Sequence, residues 1–312
     1  AEAVLTEAYA ALAAARARGA AAAAVETLLA RIAAALAEEN YFLARDLGRS
    51  LSALVAPWLR PRVLFDEAHQ ERNTMLLERA WRLAPQLTGG QAYWLYFGAY
   101  RDAAAAELAI DVNESAELTD PLLAGYDALV LAVPLAHALD GHPFTGDEVA
   151  AIHRFVAGGG GLLVLGDAGV NPAVNELVAR YGMRFDPRAV YSHAPSGGIG
   201  DFPVGGFVAS PATSRFQRYV MNWGASLQLG PQAVALGATE SDTWADGDGN
   251  ATQDPGETAG PFVVLAMNRA ARVACLADNN FQHDPAWGPE GSMNAPVLTR
   301  LLRWLGTRPG PR

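Results

Sequence analysis

Three apolar runs in this chain end in a carboxylate. Val63-Leu64-Phe65 stops at Asp66 and Glu67, with His69 just beyond; "LLVLG" stops at Asp167; "VACLA" stops at Asp278, followed by Asn279, Asn280 and His283. Carboxylates gathered around an imidazole can hold a divalent cation. Where burial drives one carboxyl pKa upward, they can also divide into general acid and general base. On that chemistry Asp66, His69, Asp167 and Asp278 are the candidate catalytic residues, and Glu67, Asn279, Asn280 and His283 the candidate ligand-binding residues. Asp and Asn after a strand are also ordinary turn formers and helix caps. Spacing alone leaves both roles open, and everything turns on whether these strand ends share one edge.

A second cluster is local. In "DTWADGDGNATQDPGE", residues 242–257, oxygen-bearing side chains counted from Asp246 fall at positions 1, 3, 5, 7, 9 and 12: Asp246, Asp248, Asn250, Thr252, Asp254 and Glu257. That is the spacing of a calcium loop of the EF-hand or dockerin type, in which alternate residues point inward and the last Glu can bind through both oxygens. The departure is position 6, ordinarily Gly for a sharp turn and here Ala251. No amphipathic helices flank the loop, so it is expected between strands as an isolated structural Ca2+ loop. Such a loop suits a compartment with millimolar calcium, an extracytoplasmic setting. The competing reading is a solvated acidic turn.

Strands are predicted at 62–66, 109–113, 127–133, 161–166, 233–238, 261–267 and 272–278, and helices near 73–84, 93–108, 146–157, 172–181 and 294–305. Alternating strands and helices, with strands as continuous apolar as "ALVLAV", predict a doubly wound, mostly parallel α/β sheet covered on both faces by helices. The last two strands, joined by "NRAA", read as a hairpin. Thr145 with Glu148 three residues on is a capping box for the helix at 146. Residues 1–58 differ in texture. Three Ala-rich amphipathic helices repeat Leu5, Tyr9 and Leu12, then Val25, Leu28, Leu29, Ile32 and Leu36, then Leu43, Leu47, Leu51 and Leu54. They predict a helical bundle or stalk ahead of an α/β domain over 62–308, with the acidic loop as an insertion.

Composition narrows the function. Net charge is −10, which argues against a nucleic-acid or anionic-membrane binder. All 23 cationic residues are Arg, so there is no Schiff-base lysine, phosphate-loop lysine or Ser-Lys dyad. Cys275 is alone, which leaves no internal disulfide and no thiolate zinc site. No run is long and apolar enough to span a membrane, so no membrane insertion is expected, and the first residues lack a charged-then-apolar leader pattern. The Gly-rich stretch 191–207 could form a flap carrying His193; His137, His142 and His153 have no ligand spacing.

"AGYDALVLAVP", "FTGDEVAAIHRFVAGGGGLLVLGDAG" and the closing "VACLADNNF…NAPVLTRLLRWL" resemble the class I glutamine amidotransferase-like superfamily. The branch is the one without amidotransferase activity, with the gliding-motility GldG and intraflagellar-transport domains, ThuA-like proteins and β-galactosidase trimerisation domains. The resemblance covers roughly 62–306 and implies a flavodoxin-like sheet. It also implies that the elbow carrying the Cys nucleophile of true amidotransferases reads Gly166-Asp167-Ala168-Gly169 here, so glutaminase activity is not expected. Two functions follow as expectations. One is a non-catalytic ligand-binding or scaffolding module of an exported bacterial protein, with a protein partner on the N-terminal helices or a carbohydrate ligand. The alternative is a hydrolase acting on a carbohydrate-like polar substrate through the strand-end carboxylates and His69.

Overall fold

In the computed structural model the described residues are 2–18, 23–69, 74–87, 96, 98–132, 142–168, 172–193, 201–205, 207–210, 212–213, 219–222, 224–278 and 294–307. They fall into two compact units, Ala1–Arg60 and Pro61–Arg312. The first is α1 (Glu2–Ala17), α2 (Ala23–Ala37) and α3 (Tyr41–Leu59), with α3 packed against both others. Asn40 caps α3, its side chain accepting the Leu43 N–H at 3.1 Å. The buried seam is Leu5, Ala8, Leu12 and Ala15 against Ala44, Leu47, Leu51 and Val55. Tyr9 and Leu43, which the periodicity assigns to the apolar stripe, are exposed instead. Ala8 and Ala44 are fully buried on this seam, beside the leucines.

The second unit is a mixed α/β fold around a seven-stranded sheet in the order β10-β13-β14-β4-β3-β1-β2. Its strands are β1 (Arg62–Asp66), β2 (Ala109–Asn113), β3 (Ala128–Ala132), β4 (Gly161–Leu165), β10 (Val234–Ala238), β13 (Val263–Asn268) and β14 (Val273–Leu276). β2, β1, β3, β4 and β14 pair in parallel, and β13 runs against its neighbours β14 and β10. The β13–β14 pair is the expected hairpin at "NRAA". Side chains alternate between two cores. Val63, Phe65, Val130, Leu163 and Leu165 face α5 (Gly98–Ala104) and α9 (Asn294–Gly306). Leu64, Leu129, Leu131, Leu162 and Val164 face α6 (Asp120–Leu123), α7 (Gly146–Ala157) and α8 (Pro172–Ala179). Helices therefore cover both faces, which explains why β3, β4 and the interior of β1 are continuously apolar. The Gly-rich end of "AGGGG" has a steric reason too: a Cβ on Gly161 would lie 2.4 Å from the Leu305 carbonyl oxygen of α9.

The fold departs from expectation in two places. The helix predicted over 93–108 is described only as α5, and the one predicted over 73–84 is α4 (Leu77–Leu87). Small antiparallel sheets that the sequence reading did not anticipate occupy 183–259. They pair β5 (Met183–Phe185) with β9 (Leu227–Leu229), β7 (Asp201–Val204) with β8 (Tyr219–Asn222), and β6 (Ala189–Ser192) with β11 (Thr243–Asp246) and β12 (Thr258–Ala259). At two to four residues each, these strands are too short to carry a period-2 pattern. The acidic segment is thus not loop throughout. Its first residues, Thr243–Asp246, are a buried strand registered against Ser192–Ala189.

Asp186, just after β5, ties this region together. It accepts the Arg188 guanidinium through both oxygens, at 2.8 and 2.9 Å, and the Gln228 amide from β9 at 3.0 Å. The Arg188 side chain holds its carboxyl at about 2, below the ordinary 3.8. A carboxyl depressed on folding stabilises the fold above its unfolded pKa and loses that contribution as pH falls through the folded one. Asp186→Asn should therefore lower the melting temperature at neutral pH and flatten the acid limb of stability between 3.8 and about 2, as followed by thermal melts across pH.

Candidate functional site

The strands ending in Asp66, Asp167 and Asp278 are parallel members of one sheet, so their tips share a rim. β14 and β4 are neighbours with Leu276 opposite Leu165, which puts Asp278 beside Asp167 two residues on. β3 lies between β4 and β1, so Asp66 is set apart from that pair, opposite Leu131. The strand order reverses between β1 and β3, where open α/β sheets leave their ligand crevice.

At that reversal the side chains bind one another. His69 has no exposed surface. Its Nδ1 lies 2.6 Å from Asp66 Oδ2 and its Nε2 2.6 Å from Glu148 Oε1. The other Asp66 oxygen accepts the Asn113 amide at 2.7 Å, from the tip of β2. Glu148 Oε1 also accepts the Leu118 N–H at 3.1 Å, and Oε2 accepts the Thr145 N–H at 2.9 Å and hydroxyl at 2.8 Å. The capping box read from Thr145 and Glu148 is present, but the same carboxylate also reaches across to the sheet rim. Phe144 stacks on the His69 ring at 4.3 Å, and the His142 ring stands edge-on to it at 4.3 Å. Burial lowers the pKa of His69, but the bonds to Asp66 and Glu148 outweigh this and raise it. Burial likewise pushes Glu148 up, and the Thr145 bonds and His69 more than reverse that, to about 2.

Glu67 is engaged elsewhere. It accepts the Thr74 hydroxyl at 2.5 Å and the Met75 N–H at 2.6 Å, and pairs with Arg79 at 3.3 Å. Burial raises its pKa against those three. It pins the entry to α4 rather than facing a ligand. Asp167 is partly exposed and accepts its neighbour's N–H, Ala168 to Oδ1, at 2.6 Å. Asp278 is fully buried. Asn279, Asn280 and His283 lie outside the described residues, as do His137 and residues 194–200 and 206 of the Gly-rich stretch. Cys275 is sealed within β14, where burial pushes its thiol pKa up. Sequence reasoning thus missed Glu148 and Asn113 as members of the rim. The signal for Glu148 was present, an acidic residue in the first turn of the helix after β3, but its cap role accounted for it fully.

The acidic loop folds back on Asp246. Asp246 is buried; its Oδ1 accepts the N–H groups of Asp248 and Gly249, at 3.1 and 2.7 Å, and its Oδ2 that of Ala251 at 2.9 Å. Burial opposes its ionisation, and these N–H donors outweigh that and lower its pKa. Glu257 turns back to accept the Asp254 N–H at 3.0 Å. Carboxylate oxygens of Asp246, Asp248 and Glu257 come within 4.8 Å of one another, an all-oxygen donor set that fits a hard divalent cation. Asn250 bridges Asp248 and Asp254 through its amide, at 2.9 and 2.7 Å, and its own oxygen accepts the Thr252 N–H at 2.6 Å. Ala251, at position 6, has φ of 57°, the left-handed backbone for which glycine is ordinarily used. His193 belongs here rather than to the sheet rim: it packs on Trp244 at 4.5 Å and its Nε2 meets Gln253 Oε1 at 2.8 Å.

No family model matches the chain, and no curated protein does. Among solved structures, the mmIFT52 N-terminal domain aligns with a TM-score of 0.58 at 19% identity, covering 78% of this chain and 97% of that one. Alpha-L-fucosidase isoenzyme 2 from Paenibacillus thiaminolyticus aligns at 0.42 and 16% identity, covering 84% of this chain and 36% of the fucosidase. The cytoplasmic protein STM1381 from Salmonella typhimurium LT2 aligns at 0.41 and 16% identity, covering 77% of this chain and 98% of that protein. The first of these is a likeness of fold; the other two are too distant to carry an argument.

Two substitutions test the geometry. Glu148→Gln keeps shape but removes one carboxylate from a buried ionic cluster, and should cost about 3 kcal/mol in chemical denaturation; the exposed neighbour change Asp147→Asn should cost under about 0.5 kcal/mol. At Ala251 the left-handed backbone reverses the usual penalty. Ala251→Gly should be neutral or stabilising in the same assay, against the roughly 0.4–1 kcal/mol that Ala→Gly costs where φ is negative.

Proposed function

We propose that this chain is a non-catalytic ligand-binding or scaffolding module of an exported bacterial protein, its α/β unit of the amidotransferase-like kind without the cysteine nucleophile, and its acidic loop a structural calcium site. The observation that carries the reading is the closure of the Asp66–His69–Glu148 cluster. A general acid or base must reach the proton it moves within about 3 Å. Here the imidazole has no exposed surface and both its nitrogens face carboxylates at 2.6 Å. Asp66 and Glu67 are spent in the same way on Asn113, Thr74, Met75 and Arg79. The position that the resemblance equates with the nucleophile is Asp167, a poor nucleophile towards amides.

Asp246, Asp248 and Glu257 would hold the calcium ion, with Asn250, Thr252 and Asp254 completing the spacing. Bound there, Ca2+ would relieve the repulsion among these carboxylates and lock β11 to β12. A calcium loop of this kind would suit a compartment with millimolar calcium, which is why the proposed setting is extracytoplasmic. The apolar side chains left exposed on the N-terminal helices, Tyr9, Tyr41 and Phe42, are where a protein partner would sit. Among the described residues, no helix is long and apolar enough to cross a membrane.

Calorimetric titration of the full chain with Ca2+ should give one site with Kd of about 10⁻⁴–10⁻³ M, the range of extracellular modules. The melting temperature should rise with it, and both effects should vanish in Asp246→Ala/Asp248→Ala. A chain that takes up no Ca2+ would remove the calcium site. Turnover of chromogenic glycosides that disappears in Asp167→Asn would overturn the non-catalytic reading and establish the hydrolase instead.

A further inference from the structure

The Asp66–His69–Glu148 cluster raises a question of proton count. Asp66 already accepts the Asn113 amide, and Glu148 the N–H groups of Leu118 and Thr145, so both carboxylates act as acceptors. A neutral imidazole has one N–H to give. If Nδ1 donates it to Asp66, then Nε2 presents a lone pair to Glu148 Oε1 at 2.6 Å. Two acceptors at that separation need something positive between them. The choices are a second ring proton or a metal ion.

His142 separates the two. A proton needs no third donor, yet a nitrogen of His142 lies within 4.8 Å of the His69 nitrogen and the Glu148 oxygen, completing a His-His-Glu group. The His142 ring stands at 74° to that of His69, and the backbone N–H of His142 donates to the Ala68 carbonyl at 2.9 Å. This bond docks the segment after β3 onto the one after β1. His142 is partly exposed while His69 and Glu148 are buried, so an ion could enter from its side. Two imidazoles and a carboxylate are a zinc donor set, and a ligating histidine whose other N–H meets a carboxylate is the usual outer support. Asp66, itself held by Asn113, is placed to give that support.

We propose that His69 through Nε2, His142 and Glu148 through Oε1 form a site for a divalent transition metal of the zinc type, with Asp66 and Asn113 as positioning residues. The inference goes beyond the proposed function and does not rest on it. Metal bonds near 2.0–2.1 Å in a tetrahedron set neighbouring donors about 3.3 Å apart. Binding therefore widens the Nε2–Oε1 contact by less than an ångström, while Nδ1 keeps its bond to Asp66. The metal replaces the Nε2 proton of the imidazolium, and that proton passes to solvent; nothing is oxidised or reduced.

The test uses the full chain carrying Asp246→Ala/Asp248→Ala, so that the acidic loop cannot take the probe. Titration with Zn2+ should give one ion per chain, about one proton released, and a higher melting temperature. Co2+ should develop visible ligand-field absorption. His142→Ala leaves the Asp66–His69–Glu148 contacts in place and should still fold, but should weaken Zn2+ binding beyond the ~10–100-fold expected for loss of an outer support. Asp66→Asn should weaken it within that range. No Zn2+ uptake by the parent, or equal affinity in His142→Ala, overturns the proposal. The calcium and glycoside measurements read the proposed function independently of either result.

Discussion

An imidazole with no exposed surface, held on each side by a carboxylate 2.6 Å away, is the contact around which the rim of this sheet is organised. Taking three ionisable groups out of water is expensive, and the arrangement is tolerable only because every oxygen has a donor. Those donors come from four places in the chain. Asn113 ends β2, Leu118 precedes α6, Thr145 opens α7 and His69 follows β1. One cluster thus ties together the ends of two adjacent strands and the starts of the segments that return across the sheet. Loss of any one group would leave the others as unpaired charges in a medium that cannot solvate them.

The same closure underlies the proposal of a module for a fold whose strand order reverses between β1 and β3. The order of strands and their common direction bring Asp66, Asp167 and Asp278 to one edge, where α/β sheets carry their chemistry. Between β1 and β3, however, the groups face each other, with Phe144 laid over the imidazole. The acidic loop solves a related problem differently. Its carboxylates converge with backbone N–H groups on Asp246, and the proposed cation would offset the remaining negative charge.

Much of this was legible in the amino-acid order. β1, β2 and α7 fall where the apolar runs and the capping box put them, because a strand buried on both faces and a Thr-x-x-Glu cap are local signals. The shared direction of the strand tips follows from strand–helix alternation. What was not legible depends on distance in the chain. Glu148 meets His69 across 79 residues, and Asn113 meets Asp66 across 47, and nothing at either position distinguishes those contacts from a cap and a turn. Thr243–Asp246 reads as loop because its acidic end belongs to one, while burial and pairing with β6 make it a strand. In the N-terminal unit, Ala8, Ala15 and Ala44 are buried with the leucines of the seam, while Tyr9 is exposed, and an apolar periodicity that counts only large side chains misses those alanines.

The central claim is that His69 is sealed between its two carboxylates, and the ring protons of that residue report on it most directly. Nuclear magnetic resonance of the ¹⁵N-histidine-labelled chain should find a His69 ring N–H, assigned by its loss in His69→Gln. That proton should lie far downfield and exchange with water as slowly as the amides of β1 and β3. A His69 ring proton that exchanges as fast as that of exposed His193 would mean the cluster opens to solvent. The structural reading of the rim would then be contradicted.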